Sequence, residues 1–300
     1  MILCAGISLV DCIITRQNSN GVAEDISLSP GGDAFNEAIW LSSLGEKVFL
    51  SSAIGNDFAG GILKKYLSIY DIALENRYFG KTPVSILTVD EAGERKSTVS
   101  KVHNLYGYQP SFPDDQEIFF VTIASLFRPP FLNPEISKSF ATEAKKISGV
   151  KLLADTKLPK GTVPDLSDYK DTLAMLDYIT PNEQEAYYYT HKNTPDAAAE
   201  VFRSFGVKNI IVKLGSNGCF VLSENGDKFS YPAYNVKCID GIGAGDAFNA
   251  GLIYQLNKNQ KLFHAVKFAS ACAAMNVMER GAISAATSAD NVSRFISEQG

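Results

Sequence analysis

The chain has 300 residues, of which 45% are hydrophobic and 20% are charged, as in an ordinary globular protein. It carries 28 Lys and Arg residues against 33 Asp and Glu residues, a net charge of −5, which argues against a general affinity for nucleic acid or acidic lipid. We therefore expect neither nucleic acid nor acidic lipid as a partner. An anionic substrate has to be bound by local groups such as helix N-termini or a bound cation.

The cysteines and the N-terminal sequence give information about metal binding and cellular location. The five cysteines form no CxxC pair and the three histidines stand apart, so no zinc site can be assigned. Most of the cysteines lie in apolar runs, where a small buried side chain is the expected role. The chain opens without the charged segment and cleavage site of a signal peptide, and no apolar stretch reaches about 18–20 residues. We expect a cytoplasmic protein that neither is exported nor spans a membrane.

The N-terminal third contains two kinds of predicted element. Short apolar runs at residues 2–7 and 48–54 indicate buried strands, and helical spacing over residues 34–44 ends at Gly45. From about residue 78 to 108 the pattern changes to alternating polar and apolar positions around a turn at residues 90–93, which is typical of half-exposed hairpin strands. We predict that this segment and residues 10–30 form a small sheet that stands off the main body as a lid.

Beyond residue 115, apolar strands alternate with amphipathic helices. The predicted strands are 118–123, 152–155, 173–179 and 210–214, and the predicted helices are 137–148, 183–190 and 197–205. This alternation predicts a three-layer α/β/α fold with a mainly parallel central sheet, spanning residues 1–300 as one domain apart from the lid. Ligands in such folds bind at the carboxyl ends of the strands.

The segment Gly243-Ala244-Gly245-Asp246 lies at the start of a predicted helix. Glycines allow successive N–H groups to converge there, which would hold an anion and stabilise the charge of phosphoryl transfer. Asp246 is then positioned to accept a proton from an attacking hydroxyl. The alternative is a plain N-cap aspartate. Neither a P-loop nor a GxGxxG fingerprint fits: the glycine required before Gly80-Lys81-Thr82 is Glu75, and Asp and Phe stand at 246 and 248.

Four motifs in order resemble the ribokinase-like, or PfkB-type, carbohydrate kinase family. They are Gly31-Gly32-Asp33-Ala34-Phe35-Asn36-Glu37-Ala38 with Leu44-Gly45, Asn182-Glu183-Gln184-Glu185, Leu214-Gly215-Ser216-Asn217-Gly218, and Asp240 to Asp246. Each string is weak alone, but together they cover nearly the whole chain.

The resemblance implies a role for each matching residue. Asp246 would be the catalytic base and Gly243, Ala244 and Gly245 its anion hole. The acceptor would be bound by Asp11, Gly31, Gly32, Asp33 and Asn36, and the nucleotide by Lys213, Gly215, Ser216, Gly218 and Gly281. Asn182 and Glu185 would hold Mg²⁺ through water, and Asp240 would belong to a monovalent-cation (K⁺) site. ATP and Mg²⁺ are the implied cofactors, and the lid is the implied homodimer contact.

Several positions depart from the family pattern. Gly241 stands where threonine is common, which puts activation by a monovalent cation in doubt. Asp33 stands where ribokinases tend to have lysine, which disfavours ribose. Asp155-Thr156-Lys157 replaces the Asp-x-Asn-x-Arg of several sugar-acid and fructose kinases, with Lys157 as a substitute cation. Gly93-Glu94-Arg95 resembles the lid turn of fructokinase-type members.

Three functions remain open at this point. The first is an ATP-dependent kinase of a sugar or sugar acid, similar to fructokinase, 2-keto-3-deoxygluconokinase or ribokinase. The second is a nucleoside kinase, in which Phe35, Tyr106 or Tyr108 stacks on the base; packing or lid surface is the alternative role of these aromatics. The third is a binding or regulatory protein that keeps the fold without turnover.

Overall fold

The computed structural model describes residues 1–17, 22–75, 80–90, 95–100, 107–114, 116–159, 161 and 164–299. Its strands are β1 (Ile2–Ala5), β2 (Leu9–Gln17), β3 (Asp25–Gly31), β4 (Val48–Ser51), β5 (Ala73–Leu74), β6 (Val84–Asp90), β7 (Arg95–Val99), β8 (Phe120–Leu126), β9 (Lys151–Thr156), β10 (Tyr178–Ile179), β11 (Asn209–Lys213), β12 (Cys219–Leu222) and β13 (Lys228–Tyr231). Its α-helices are α1 (Asp33–Ser43), α2 (Phe58–Ile69), α3 (Pro134–Lys146), α4 (Lys170–Leu173), α5 (Glu183–Thr190), α6 (Pro195–Ser204), α7 (Ala244–Asn257), α8 (Leu262–Val277) and α9 (Ala289–Gln299). Leu166–Tyr169 and Gly215–Asn217 form short 3-10 helices.

Nine strands form the central sheet, in the order β13-β12-β11-β10-β9-β8-β1-β4-β5. Every pairing from β5 to β11 is parallel, and β12 and β13 are added antiparallel at one edge. The carboxyl ends of the parallel strands therefore meet at one side of the sheet, where the fold type puts its ligands.

Helices cover both faces of this sheet because its strands are apolar on both sides. Ile2 and Cys4 of β1 pack in one core cluster with α1, α2, α7, α8 and α9. Leu3 and Ala5, which point to the other face, pack in a second cluster with α3, α4, α5 and α6. The predicted three-layer α/β/α arrangement is confirmed. Among the described residues, no helix combines the length and the apolar character needed to cross a membrane.

A second sheet, in the order β3-β2-β6-β7, confirms the predicted small sheet. Its register places Leu28, Cys12 and Ile86 side by side on one face, and Ser29, Asp11 and Ser85 on the other. The first face is exposed to solvent, with Leu28 at 50% and Ile86 at 42% exposure, whereas Asp11 and Ser85 line an internal cavity.

Some predicted boundaries are wrong. Residues 173–179 are not one strand: α4 ends at Leu173 and only Tyr178–Ile179 pair as β10. A short apolar run does not distinguish the end of a buried helix from a buried strand. Helix α3 begins at Pro134 rather than at residue 137, because Asn133 caps it by accepting a hydrogen bond from the Glu135 amide.

Candidate active site

A cavity of about 1010 Å³ opens at the carboxyl ends of the parallel strands. One end is lined by the small sheet and the start of α1, and the other by the loop after β11 and by α8. The cavity brings together these residues predicted from the sequence: Asp11, Gly32, Asp33, Asn36, Asn182, Glu185, Lys213, Gly215, Ser216, Gly218, Gly243, Ala244, Gly245 and Asp246. Gly31, Asp240 and Gly281 are not among its lining residues.

The glycine turn that begins helix α7 lines this cavity. Gly243 is the N-cap residue, with a φ of 80°, and a Cβ at this position would lie 2.5 Å from the Ala282 Cα atom. Only glycine fits such a position without displacing the neighbouring backbone. The first turn of a helix has N–H groups without intrahelical partners and a positive dipole end, so this turn is suited to bind an anion.

Asp246 is the third residue of α7, and its side chain is 4% exposed. Its Oδ2 atom accepts a hydrogen bond of 2.7 Å from the Asn36 amide, and its Oδ1 atom lies 3.5 Å from the Lys157 ammonium. Because Gly243 is the cap and the helix has no side-chain cap bond, the interpretation of Asp246 as a plain N-cap is wrong. Burial raises the pKa of Asp246 to about 6, against the opposing effect of Lys157.

Asp155 lies at the end of β9 and holds two ammonium groups. Its Oδ1 atom is 2.7 Å from Lys213 Nζ and its Oδ2 atom is 3.0 Å from Lys157 Nζ. Burial alone would raise the pKa of this fully buried carboxyl, but the two lysines outweigh it and hold the pKa below its ordinary value. Lys213 was predicted to face the nucleotide, and its side chain lines the cavity and is 13% exposed.

Asn182 and Glu185 form a capping box at the start of α5. The Asn182 side chain accepts from the Glu185 amide, and Glu185 Oε2 accepts from the Asn182 amide and from the Thr156 hydroxyl, each at 2.9 Å. Glu185 is 5% exposed, so its carboxylate is buried and does not lie on a solvated helix face. Carboxylate and amide oxygens beside a group of buried acids are a donor set that suits Mg²⁺ through water.

The end of the cavity that was predicted to bind the acceptor combines the small sheet with the start of α1. Asp11 is close to the glycine pair, since a Cβ on Gly31 would lie 2.5 Å from Asp11 Oδ2. Burial raises the pKa of Asp11, and a hydrogen bond with Ser85 opposes this. Asp33 does not cap α1, because Gly32 is the N-cap residue; its Oδ1 atom instead lies 3.1 Å from Lys157 Nζ.

The end of the cavity that was predicted to bind the nucleotide is lined by Gly215, Ser216 and Gly218 and by a group of apolar side chains that had no predicted role. These are Ala233, Val236, Ala273, Ala274 and Val277. Such a surface is suited to a flat apolar ring, and Gly215, with no described atom within 4 Å of where a Cβ would lie, leaves room for a ligand.

Asp240 connects two loops beside the cavity. Its carboxylate accepts hydrogen bonds of 3.1 Å from the amides of Ile242 and Gly281. These bonds give Asp240 and Gly281 a role in shaping the turn that precedes α7. Gly241 next to it has open space, with no atom within 4 Å of a built Cβ.

Glu37 is a buried acid that the sequence motif contained but to which no role was assigned. It is fully buried, and it accepts hydrogen bonds from Thr122 at 2.9 Å and from Asn249 at 3.0 Å. Carboxylate oxygens of Glu37, Asp155 and Asp246 lie within 4.8 Å of one another. Burial, together with these neighbouring carboxylates, raises the pKa of Glu37 to about 8, so the group is neutral at pH 7.

Two of the three aromatic residues considered for base stacking, Phe35 and Tyr108, are described by the structure and are not in the cavity lining. Phe35 is fully buried in the core, and Tyr108 is 2% exposed, with its hydroxyl bonded to Glu75. Tyr106, and Gly93 and Glu94 of the predicted lid turn, lie outside the described residues.

Comparisons with known proteins show the family to which the chain belongs. The family described as pfkB family carbohydrate kinase matches residues 1–289. A ribokinase from Haemophilus influenzae is 26% identical over 94% of this chain and 92% of its own. An ATP-dependent ribose-1-phosphate kinase from Halopiger xanaduensis is 29% identical over 90% and 88%, respectively. The crystal structure of a ribokinase from Thermotoga maritima, 25% identical, aligns with a TM-score of 0.84 over 99% of both chains. The family resemblance predicted from four motifs is confirmed.

Proposed function

Because this chain belongs to the pfkB family of carbohydrate kinases, we propose that it transfers the γ-phosphoryl group of ATP to a hydroxyl of a small sugar or sugar acid. The observation that carries the proposal is the position of Asp246. Its buried carboxylate lies between the acceptor end and the nucleotide end of one cavity, held by Asn36 and Lys157.

In the proposed mechanism, the acceptor hydroxyl donates its hydrogen bond to Asp246. As its oxygen attacks the γ-phosphorus, the proton passes to the carboxylate, the bond from phosphorus to the β,γ-bridging oxygen breaks, and ADP leaves. A pKa near 6 keeps Asp246 mostly ionised at pH 7 while leaving it basic enough to take a proton. The amides of Gly243, Ala244 and Gly245, at the positive end of α7, stabilise the charge on the transferred group.

The acceptor is bound by groups of the kind that a polyol needs. Asp11 offers an acceptor, Asn36 offers both a donor and an acceptor, and the absence of side chains at Gly31-Gly32 leaves room for the Asp11 carboxylate and the Ile7 carbonyl. The Asn36 Oδ1 atom is buried and has no hydrogen-bond partner among the described residues, so a hydroxyl that donates to it would satisfy it. The small sheet acts as a lid that excludes water when the acceptor is bound.

Mg²⁺ would be held through water by Asn182 and Glu185, where it neutralises the phosphates of ATP. Lys213, Gly215, Ser216 and Gly218 line the nucleotide end. For K⁺, the contacts of Asp240 and Gly281 support a role in shaping the loop, and dependence on a monovalent cation stays a prediction to be tested.

The exposed face of the lid supports a homodimer. Ile26, Leu28 and Ile86 are 64%, 50% and 42% exposed, and the strand register places Leu28 and Ile86 in one row, with Ile26 two residues from Leu28 on the same strand. Apolar side chains on one exposed sheet face are typical of a surface that is covered by a partner.

The function is tested by measuring ADP release with Mg²⁺ and a panel of pentoses, hexoses, sugar acids, sugar phosphates and nucleosides. We expect turnover with a sugar or sugar acid. Preferred turnover of a nucleoside would replace the proposed acceptor class, and the burial of Phe35 and Tyr108 argues against that outcome. No turnover with any acceptor, together with ATP binding that Asp246→Ala leaves unchanged, would identify a binding protein instead.

A further inference from the structure

Lys157 is held in this cavity more firmly than a simple counter-ion needs to be. It directly follows β9, at the carboxyl edge of the sheet. Its amide donates to the Leu126 carbonyl at 3.0 Å, and its carbonyl accepts from the Tyr189 hydroxyl at 2.6 Å. The backbone is therefore fixed on both sides, and the side chain, 23% exposed, reaches into the cavity.

The ammonium of Lys157 contacts carboxylates from three different elements. Nζ lies 3.1 Å from Asp33, 3.0 Å from Asp155 and 3.5 Å from Asp246. The contact with Asp246 is the longest of the three, and it is the one in which the ammonium donates a hydrogen bond.

Asp155 lies between Lys157 and the second lysine of the cavity, Lys213. Its two oxygens hold Lys213 on one side and Lys157 on the other. A Cβ built on Gly245 would lie 3.3 Å from Lys213 Nζ, so that ammonium is beside the glycine turn. Lys157 is on the side of Asp33 and the acceptor. Lys213 thus lies on the nucleotide side of the buried Asp155 carboxylate, and Lys157 lies on its acceptor side.

We propose that Lys157 is a further catalytic residue, whose ammonium binds the transferred phosphoryl group from the acceptor side during transfer. This inference rests on the proposed kinase function. An acceptor oxygen that is hydrogen-bonded to Asp246 lies within a few ångströms of Lys157 Nζ, and so do the non-bridging oxygens of the phosphorus that it attacks. Negative charge develops on these oxygens in the transition state, and a preorganised ammonium stabilises it there.

A purely electrostatic role is the competing explanation. Lys157 faces Asp33, Asp155 and Asp246, and Asp246 also faces the acid Glu37. Removing the ammonium would leave Asp246 harder to ionise, and kcat would fall for that reason alone. Such a loss is recovered at high pH, where Asp246 is ionised again, whereas the loss of a contact with the phosphoryl group persists at every pH.

The test compares Lys157→Met with a matched control, Lys145→Met. Lys145 likewise shares one aspartate, Asp177, with a second lysine, Lys208, but it lies outside the cavity lining. For Lys157→Met we expect kcat to fall by about 10²–10³ at pH 9, where Asp246 is ionised, and by at least as much at pH 7.5, since single transition-state donors contribute on this scale. The Kd of Mg·ATP should change less than about threefold, and Lys145→Met should keep the native kcat.

Three results would overturn the inference: a kcat within about threefold of native, recovery to that level at pH 9, or an equal loss in Lys145→Met. If Lys157→Met does not fold, Lys157→Gln, which keeps N–H donors for the buried carboxylates, carries the same expectations. Native protein that turns over no acceptor would instead refute the proposed function. Turnover by native protein that Lys157→Met retains would refute this inference alone.

Discussion

The buried Glu37 makes the folding stability of the protein depend on pH, and the size of this effect follows from its pKa. Its pKa is about 8 in the folded protein, against an ordinary value of 4.5 in an unfolded chain. Between these values the unfolded chain has released a proton that the folded protein retains. The folded state therefore binds more protons, and stability falls as pH rises from 4.5 to about 8. At pH 7 this contribution is roughly 3 kcal/mol, since each pKa unit is worth about 1.4 kcal/mol.

Glu37→Gln replaces the neutral acid with a neutral amide of the same shape. The amide does not ionise, so we expect the variant to gain stability over the native protein as pH rises, reaching about 2–3 kcal/mol at pH 7 once about 1 kcal/mol is allowed for an altered hydrogen bond. Near pH 5 the difference should vanish. The assay is urea unfolding of both proteins at intervals from pH 5 to 8.

The exposed Glu298 offers a matched control for this experiment. Glu298→Gln should leave the free energy of unfolding nearly unchanged at every pH, because the carboxylate stays in water in both states. A Glu37→Gln difference that is constant from pH 5 to 8, or that becomes more unfavourable as pH rises, would refute the assignment of Glu37 as a neutral buried acid.

Three further predictions concern the turn, the base and the lid. Because the proposed base must be ionised and the pKa of Asp246 is about 6, kcat should fall about tenfold per pH unit below pH 6, and Asp246→Asn should lack this limb in a pH–rate profile. Gly243→Ala should lower stability by at least about 1–3 kcal/mol, because φ is positive and a Cβ there meets a neighbouring backbone, whereas Gly241→Ala, in open space, should have little effect in the same thermal unfolding measurement. Ile26→Ser with Leu28→Ser should convert a dimer into a monomer in light scattering, and a native protein that is already monomeric would contradict the dimer proposal.

The fold could be predicted from periodicity because its strands and helices alternate regularly. The parallel sheet, the helices on both faces and the small separate sheet all follow from short apolar runs and alternating segments. The boundaries around residues 173–179 could not be predicted, since Leu173 ends a helix and Ile179 ends a strand within one apolar run. What separates them is tertiary packing, which local spacing does not encode.

The site residues that belong to sequence motifs were predictable, whereas the site residues that are placed by tertiary packing were not. Asp246 and its glycines, Asn182 with Glu185, and Lys213 come together in one cavity as predicted. Glu37 looks like any polar residue of an amphipathic helix, and its burial follows from contacts with Thr122 and Asn249, which are distant in sequence. The roles of such residues become visible only when the elements are assembled.

The ion pairs at the centre of the site could not be predicted from the sequence either. Asp155 ends a predicted strand, which is a signal for a site residue in this type of fold. The two ion pairs that it makes, with Lys157 and Lys213, join the loop after its own strand with the end of β11. No spacing rule relates those positions, because the sheet order, and not the chain order, sets their distance.

The most direct test of the account is the kinetics of Asp246→Asn with the acceptor that the panel identifies. The asparagine keeps the shape of the side chain but cannot accept the proton, so we predict that kcat falls by about 10²–10⁴ while the Kd of Mg·ATP stays within about threefold of native. A loss of kcat below about tenfold would show that Asp246 is not the base, and would contradict the mechanism proposed for this cavity.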